Sequence, residues 1–295
     1  MDQAEKLRNM IKEHKASKAS ESGGARVITI TSGKGGVGKS STAVNLAIQF
    51  RKLGYRVMIF DADFGLANIE VMFGAIPKFN LSDVIYRGKN LEDIIVEGPM
   101  GVNFISGGSG VFEMTNMSTD NLRYLTAKLS QLEAMADIII VDTGAGISES
   151  VLQFITACNE VILITTPEPT SITDSYALLK ALSRHSDYDK DNTVIKVVTN
   201  RVSGDDEGKS LFAKLSIVVN KFLQIELSHL GIIPQDSHIL KSVMQQQPVS
   251  IAYENSGASR AYEVIAKRLT QNEKEKVSEK RGISFMFAKM FKSKT

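Results

Sequence analysis

One short motif constrains the fold more than any other feature of the chain: the run GKGGVGKS at residues 33–40. It follows an apolar segment, RVITITS, and precedes an amphipathic one, STAVNLAIQFRKL. Glycines let backbone N–H groups turn inward, and a helix N-terminus adds the positive end of its dipole, so such a turn binds phosphate. We expect Lys39 to reach the β- and γ-phosphates of a nucleotide and the Ser40 hydroxyl to coordinate Mg²⁺. A glycine-rich turn without function is the alternative.

Short apolar runs rich in Val and Ile alternate with longer amphipathic segments from about residue 26 to about residue 270. The runs are Arg26–Thr31, Arg56–Asp61, Val102–Ser106, Asp137–Asp142, Glu160–Thr165, Thr193–Asn200 and Leu227–Ile233. Nearly continuous apolar strands are typical of a parallel sheet covered on both faces. The pattern predicts a doubly wound α/β fold, with a mainly parallel sheet of about seven strands and helices on both faces. Helical spacing after Asn80 predicts helices in the crossover between the second and third strands.

Composition excludes several classes of protein. Of the 295 residues, 43% are hydrophobic and 23% are charged, unlike a disordered chain or a collagen. Cys158 is the single cysteine, which excludes an internal disulfide or a paired-cysteine metal site within one chain and favours a reducing cytosol. The N-terminus lacks a signal peptide's apolar region, and no apolar run reaches the roughly 18 residues of a membrane span. We therefore expect a cytoplasmic protein.

Charge is distributed unevenly along the chain, although its net value is only +2. The last residues, 281–295, carry four basic side chains and no carboxylate, whereas residues 27–280 are mildly acidic. A protein that grips DNA with its whole surface needs a clustered basic face. We therefore expect no nucleic-acid partner.

Aspartates stand at the ends of two predicted strands. Asp61 and Asp63 lie in IFDADFGLAN, and Asp142 lies in IIIVDTGAGI. The carboxyl ends of parallel strands face the crevice where ligands bind, beside the phosphate-binding loop. These carboxylates are therefore candidates for nucleotide and metal chemistry, with helix capping as the alternative.

The second lysine of the loop, Lys34, gives it the form KGGxGK[ST], which resembles the deviant Walker A loop of the MinD and ParA ATPases. The resemblance implies a SIMIBI-type P-loop NTPase that uses ATP and Mg²⁺ and forms an ATP-dependent sandwich homodimer, in which Lys34 crosses to the partner's nucleotide. It further implies that Asp63 orients or activates the attacking water, Asp61 supports the magnesium shell and Asp142 is the Walker B residue. Gly144 departs from the family pattern, since DTGAG stands where DSPAG or DTPAG is usual. A solvated Lys34 is the alternative.

The same resemblance implies which residues surround the nucleotide. Asn200 and Arg201 end one strand and the run PQD at 234–236 follows another; in the family these positions flank the adenine, and the asparagine reads its edge. Glu149 is expected to bind a ribose hydroxyl, within one subunit or across the dimer, whereas Asn200 as a turn residue remains an alternative. The predicted catalytic residues are Lys34, Lys39 and Asp63, and the predicted metal ligands are Ser40, Asp61 and Asp142. The predicted ATP contacts are Gly33, Lys34, Gly35, Gly36, Val37, Gly38, Lys39, Ser40, Ser41, Glu149, Asn200, Arg201, Pro234, Gln235 and Asp236.

The C-terminal segment carries an apolar helical stripe with lysines beside it. Apolar residues recur at i, i+3, i+4, i+7 and i+8 from Ile283, as an interfacial helix on an anionic membrane requires. The predicted membrane contacts are Ile283, Phe285, Met286, Phe287, Lys289, Met290, Phe291 and Lys292. A helix docked on its own domain is the alternative, and release of such a helix on ATP-driven dimerisation would reconcile the two. We expect the protein to lie on the inner face of the cell membrane when it binds ATP.

At the other end, residues 2–8 read DQAEKLR, which matches the DQAxxLR motif of the FlhG (YlxH, FleN) family of flagellar placement and number regulators. The resemblance implies that this segment stimulates an FlhF-type GTPase of the signal-recognition-particle class, with flagellar C-ring proteins as further partners. The predicted GTPase contacts are Asp2, Gln3, Ala4, Leu7 and Arg8. The pattern predicts a short helix over residues 2–15, followed by a small-residue tether.

Three parts are therefore expected: an activating helix and tether (1–24), a P-loop ATPase domain (25–272) and a membrane-targeting segment (273–295). The alternatives are a MinD-type division-site regulator, which would share the loop and the tail, and a ParA-type partition ATPase, which would need to bind DNA. An iron–sulfur carrier on the same fold would need bridging cysteines, and Cys158 is alone.

Overall fold

The computed structural model describes residues 24–63, 68–108, 119–271 and 282–292, with the backbone alone at 119–123 and 291–292. The predicted N-terminal helix and tether lie outside these ranges. The strands of the described residues are β1 Arg26–Thr31, β2 Val57–Ala62, β3 Val96–Glu97, β4 Asn103–Ser106, β5 Ile138–Thr143, β6 Glu160–Thr165, β7 Val194–Val202 and β8 Leu227–Pro234. They form one sheet in the order β3-β4-β2-β5-β1-β6-β7-β8.

Helices cover both faces of this sheet. In chain order they are α1 Lys39–Lys52, α2 Asn68–Phe73, α3 Leu81–Arg87, α4 Thr119–Met135, α5 Glu149–Ala157, α6 Pro169–Ser183, α7 Asp205–Leu223, α8 Ser237–Met244, α9 Val249–Ala252, α10 Gly257–Gln271 and α11 Ile283–Lys292. Helices α1, α9 and α10 enclose an apolar core on one face. Helices α4, α5 and α11, followed by α6 and α7, enclose two further apolar clusters on the other face. The predicted doubly wound α/β fold is confirmed.

All seven predicted strands are present, with ends that differ by at most two residues. Every pairing is parallel except that of β3 with β4, which is antiparallel. Strand β3 is an eighth strand that the sequence did not predict, because two residues are too few to show a period.

The crossover between β2 and β4 is partly helical, as predicted. The Asn80 side chain accepts a hydrogen bond from the Ser82 N–H, and the Asp83 carboxylate accepts one from the Asn80 N–H, which makes a capping box. Helix α3 then ends at Gly88, whose φ of 66° is easy only for glycine. Helices do not fill the crossover entirely, because Val96–Glu97 pairs with β4 as an edge strand.

Helix α11 docks on its own domain. Ile283, Met286, Phe287 and Met290 are buried in the apolar cluster beneath α4 and α5. The Phe287 ring lies 5.5 Å from the ring of Phe60 between centroids and 6.2 Å from that of Phe154. Lys289 Nζ donates a hydrogen bond to the Thr156 carbonyl. The stripe from Ile283 to Met290 is therefore buried against the protein in this structure.

Candidate nucleotide site

The glycine-rich loop joins β1 to α1 in a conformation that depends on its glycines. Gly36 and Gly38 have φ values of 76° and 97°, which side chains disfavour. A Cβ on Gly33 would lie 2.2 Å from the backbone carbonyl of Asp174 on α6, so only glycine allows that close approach. Helix α1 then begins at Lys39, with its N-terminus at the loop. The predicted phosphate-binding geometry of a loop followed by a helix N-terminus is present.

Pockets for small molecules measure roughly 300–1,000 Å³, and the cavity beside this loop measures about 740 Å³. Of the predicted ATP contacts and catalytic residues, it is lined by Gly35, Gly36, Gly38, Lys39, Ser40, Ser41, Asp63, Asn200, Arg201, Gln235 and Asp236. The sequence analysis missed six lining residues: Asn68, Met72, Ala145, Ile239, Leu240 and Val243. The only sequence signal that these residues line the site is their position. Asn68 and Met72 follow the predicted carboxylates, and Ile239 follows PQD by three residues.

Two buried carboxylates lie below the loop on adjacent strands. Asp61 of β2 and Asp142 of β5 are register partners, and both are almost fully buried. Burial raises the pKa of Asp61 to about 8, and the neighbouring Asp142 adds to the rise. Burial likewise raises the pKa of Asp142 to about 7, while Ser40 and Lys39 nearby oppose it. Two carboxylates that resist ionisation so close together are suited to a bound cation.

The donor set fits Mg²⁺. Neither carboxylate oxygen of Asp142 accepts a hydrogen bond, although both are buried. Mg²⁺ prefers oxygen ligands and binds through one or two carboxylates together with phosphates and water. Within the described parts of the chain, no group of three or more His, Cys, Asp or Glu side chains could hold a metal by itself. A magnesium ion at this place would therefore need the nucleotide as well as Ser40, Asp61 and Asp142.

Asp63 lies at the rim of the cavity rather than beneath it. Its backbone N–H donates a hydrogen bond of 3.0 Å to Asp61 Oδ1. The Asn68 amide lies 3.4 Å from Asp63 Oδ2, and a Cβ on Gly144 would come within 3.8 Å of Asp63 Oδ1. The side chain is therefore half-buried, next to the phosphate-binding loop and open to water.

Lys34 does not line the cavity beside its own loop. Its ammonium lies 2.7 Å from Glu168 Oε2 and donates a hydrogen bond of 2.9 Å to Thr170 Oγ1, at the start of α6. The pKa of Glu168 is lowered by this hydrogen bond and by the charge of Lys34. Lys34 is thus paired within its own subunit, in a contact that is partly exposed to solvent.

The predicted base-reading residues divide into two groups. Asn200 lines the cavity, but its Nδ2 donates a hydrogen bond of 2.7 Å to the Val37 carbonyl and so supports the loop. Arg201, with a φ of 58°, is a non-glycine residue in the left-handed region, a strain often found at functional sites. Pro234 and Glu149 do not line the cavity. Glu149 instead lies 3.3 Å from His185 Nε2 and accepts a hydrogen bond from Gln153.

None of the helices in the described residues combines the length and the apolar content of a membrane-crossing segment.

The single cysteine, Cys158, is buried, and its Sγ contacts the Val27 and Glu160 carbonyls. It lies in the same apolar cluster as α11.

Comparison with known proteins places the fold and the loop in context. The family model described as ParA, NUBPL iron-transfer P-loop NTPase, matches residues 24–270. The antiactivator FleN of Pseudomonas aeruginosa is 42% identical over 244 residues, which are 83% of this chain and 86% of FleN. The flagellum site-determining protein YlxH of Helicobacter pylori is 35% identical over 251 residues, which are 84% of this chain and 83% of YlxH.

Solved structures agree in fold. The MinD cell division protein of Aquifex aeolicus has a TM-score of 0.64 and 26% identity, and the match covers 87% of this chain and 100% of MinD. The septum site-determining protein MinD of Pyrococcus horikoshii, complexed with Mg-ADP, has a TM-score of 0.65 and 22% identity over 84% of this chain and 97% of that protein. The likeness in fold thus extends over more than four fifths of this chain.

Proposed function

This chain belongs to the ParA/MinD family of P-loop ATPases, with FleN and YlxH among its relatives, and from that premise we propose that it is a Mg-ATP-dependent switch that regulates the location and number of flagella. In the proposed cycle it is monomeric without ATP, forms a homodimer with ATP on the inner membrane face, and returns to the monomer on hydrolysis. The observation that carries the proposal is the 42% identity to FleN across the domain that holds the loop.

The site supports ATP hydrolysis in the following way. The loop N–H groups and the N-terminus of α1 bind the phosphates, and Lys39 approaches the β- and γ-phosphates. Ser40, Asp61 and Asp142 hold the magnesium ion, whose chemistry when bound is neutralisation of the phosphate charge. Asp63 orients the attacking water from the rim of the cavity, where it is half-buried and within reach of Asn68.

The variant Asp63→Ala tests this assignment. Since the water is no longer positioned, we expect ATP turnover to fall by about a hundredfold or more, while the ATP-bound dimer accumulates. Turnover and sedimentation with Mg-ATP measure both quantities. Glu92→Ala, which removes an exposed carboxylate on a short turn, is the matched control. A variant that stays monomeric with ATP would contradict the mechanism.

Dimerisation requires a change at Lys34. In the proposed dimer this side chain reaches the nucleotide of the partner subunit, as the family resemblance implies. Its present partners, Glu168 and Thr170, lie on the loop and helix after β6, so the ion pair must break before the crossing. The resting contact and the dimer contact are therefore mutually exclusive.

Membrane binding is proposed for α11 in the ATP-bound dimer. The helix contacts two elements that adjoin the nucleotide site: Phe60 directly precedes Asp61, and Phe154 lies on α5, which follows the loop after Asp142. A shift of Asp61 or Asp142 would therefore alter the packing of Phe287 against Phe60 and Phe154. One released helix of this length binds a membrane weakly, and two helices in a dimer bind through avidity.

Recruitment of a partner GTPase is proposed for the N-terminal segment, whose residues lie outside the described part of the chain. The support is the DQAEKLR match together with the similarity to FleN and YlxH. Flagellar C-ring proteins are the further partners that the resemblance implies. A division-site role is the second candidate, because MinD structures share the fold, one of them in a MinC:MinD complex.

The GTPase test separates these two functions. A peptide of residues 1–20, and separately the whole protein, is added to the FlhF-type GTPase of the same cell, and GTP turnover is measured. We expect stimulation that disappears with Gln3→Ala and persists with Lys6→Ala, which changes a variable position of the motif. No stimulation of a competent GTPase would shift the function to division or partition.

A further inference from the structure

A groove of about 660 Å³ lies at the end of the sheet opposite the nucleotide site, between the starts of β7 and β8 and the end of α7. Its apolar lining includes Tyr188, Val194 and Leu227. Val194 is 40% exposed, and Ile217 and Phe222 on the adjoining helix are 66% and 64% exposed. Val194 lines the groove itself, whereas Ile217 and Phe222 lie on the helix whose Asn220 forms its wall. The groove is therefore suited to an apolar segment of chain.

The border of the groove is acidic. Asp191 and Glu226 line it together with the cation Lys190, and Asp187 and Asp189 lie just before Lys190 on the same loop. A complementary ligand is a short amphipathic segment with apolar side chains on one face and cations around them.

The chain itself supplies such a segment. Between residues 6 and 18 there are five cations, Lys6, Arg8, Lys12, Lys15 and Lys18, and one carboxylate, Glu13. Leu7, Met10 and Ile11 are spaced at i, i+3 and i+4, so they share one face of the predicted helix.

The described chain starts at the same end of the sheet as the groove. Arg26, two residues after Gly24, donates hydrogen bonds of 2.8 Å to Glu160, which accepts another of 2.8 Å from Lys196 on β7. The starts of β1, β6 and β7 are therefore contiguous. From β1 to β8 there are three strand spacings, about 14 Å, and residues 16–23 span about 26 Å when extended. The N-terminal segment can thus reach the groove of its own subunit.

We propose that residues 6–15 dock in the groove between α7 and the starts of β7 and β8, with Leu7 and Ile11 against Tyr188 and Val194 and the cations against the acidic border. This docking does not depend on the proposed function. The functional consequence of docking does rest on the proposed function. A docked segment is withheld from the partner GTPase, so the docking equilibrium sets how much of the segment is available.

Crosslinking within the full-length chain tests the docking without ATP or GTPase, so its failure is distinct from a failure of the proposed function. His14→Cys is combined with Asn220→Cys on the groove wall, and the rate of intramolecular reaction with a short bismaleimide is measured by intact mass. The matched control pairs His14→Cys with Lys267→Cys, an exposed position on α10, whose end also lies beside Arg26. The native Cys158 is buried and is present in both double variants, so it affects the two crosslinking rates equally.

We expect the groove pair to react at least about tenfold faster than the control pair, because docking raises the local concentration. Adding Ile11→Asp, or substituting Asp191→Asn with Glu226→Gln, should bring the rate down to that of the control. Equal rates for the two pairs would overturn the proposal. Crosslinks between two copies of the chain would overturn it as well, since they would make a second copy the occupant.

Discussion

The ammonium of Lys34 lies 2.7 Å from the carboxylate of Glu168, although the two residues are 134 positions apart in the sequence. The contact ties the phosphate-binding loop to the start of α6, where Thr170 accepts a second hydrogen bond from the same ammonium. In this contact the Lys34 ammonium is paired within its own subunit, although both side chains are partly exposed. If Lys34 reaches the partner subunit's nucleotide in the proposed dimer, this pair has to break first.

Removing the carboxylate should ease dimerisation. We expect Glu168→Gln to lower the ATP concentration for half-maximal dimer formation by about two- to fivefold, because the ion pair is exposed and such pairs contribute little. Glu254→Gln, which removes an exposed ion pair with Lys52, is the control and should leave that concentration unchanged. Sedimentation velocity across an ATP titration measures it. A higher ATP requirement for Glu168→Gln would show that Glu168 supports the dimer instead.

Mg²⁺ affinity should depend on pH through the two buried aspartates. The pKa values of Asp61 and Asp142 are raised to about 8 and about 7, so both carboxyls bind protons near neutrality without a cation. Because Mg²⁺ binds the ionised form, its affinity in the presence of nucleotide should rise with pH between about 6 and about 9. Calorimetry in buffers of different ionisation enthalpy should detect proton release on binding. An affinity independent of pH would contradict the assignment of these ligands.

The same two groups should make the metal-free protein less stable at alkaline pH. Their folded-state pKa values lie above the unfolded value of 3.8, so the folded state binds more protons between those limits. Their contribution to the free energy of unfolding is therefore fully present below about pH 4 and is lost as pH rises to about 8. Urea denaturation at several pH values, compared between the protein and Asp61→Asn, isolates the contribution. A parallel pH dependence in the two would argue against it.

The buried ion network at the start of the sheet should be costly to break. Arg26 donates to Glu160 and to the Leu269 carbonyl, and together with Lys196 it holds the pKa of Glu160 below its usual range against the effect of burial. Arg26→Met leaves a buried carboxylate with one partner fewer, so we expect a loss of about 3–5 kcal/mol in the free energy of unfolding. Lys267→Met, which removes an exposed pair on α10, should change it by less than about 0.5 kcal/mol. Equal effects would mean that the network contributes no more than a surface pair.

Docking of α11 should protect Cys158. Phe287 is fully buried against Phe60 and Phe154, whereas Phe285 on the same helix is 39% exposed. If the helix stays in place, Phe287→Ala should lower the free energy of unfolding by about 3–5 kcal/mol. If the helix detaches instead, the Cys158 thiol should react faster with a disulfide reagent. Phe285→Ala is the control and should do neither. A Phe287→Ala protein with unchanged stability and unchanged thiol reactivity would contradict the observed packing.

Much of the site could be predicted because it depends on local sequence. The apolar runs marked the strand ends, where the glycines of the loop, the lysine and serine that follow them, and Asp61 and Asp142 near the ends of β2 and β5 lie. What could not be predicted were the apolar walls of the cavity, such as Leu240 and Val243, because an apolar residue on a helix has the same pattern whether it faces a core or a ligand. Strand β3 could not be predicted either, because two residues are too few to show a period.

Sequence by itself determined the order of strands and helices, the turn that binds phosphate and the chemical character of the two ends, because periodicity, glycine spacing and charge act over a few neighbouring residues. Only the tertiary structure decided where Lys34 pairs, that Asn200 supports the loop, and that the stripe from Ile283 to Met290 is buried on its own domain. An apolar helical face gains free energy when it leaves water, whether for a protein core or for a membrane. Which of these covers it depends on contacts with residues far away in the sequence, such as Phe60 and Phe154.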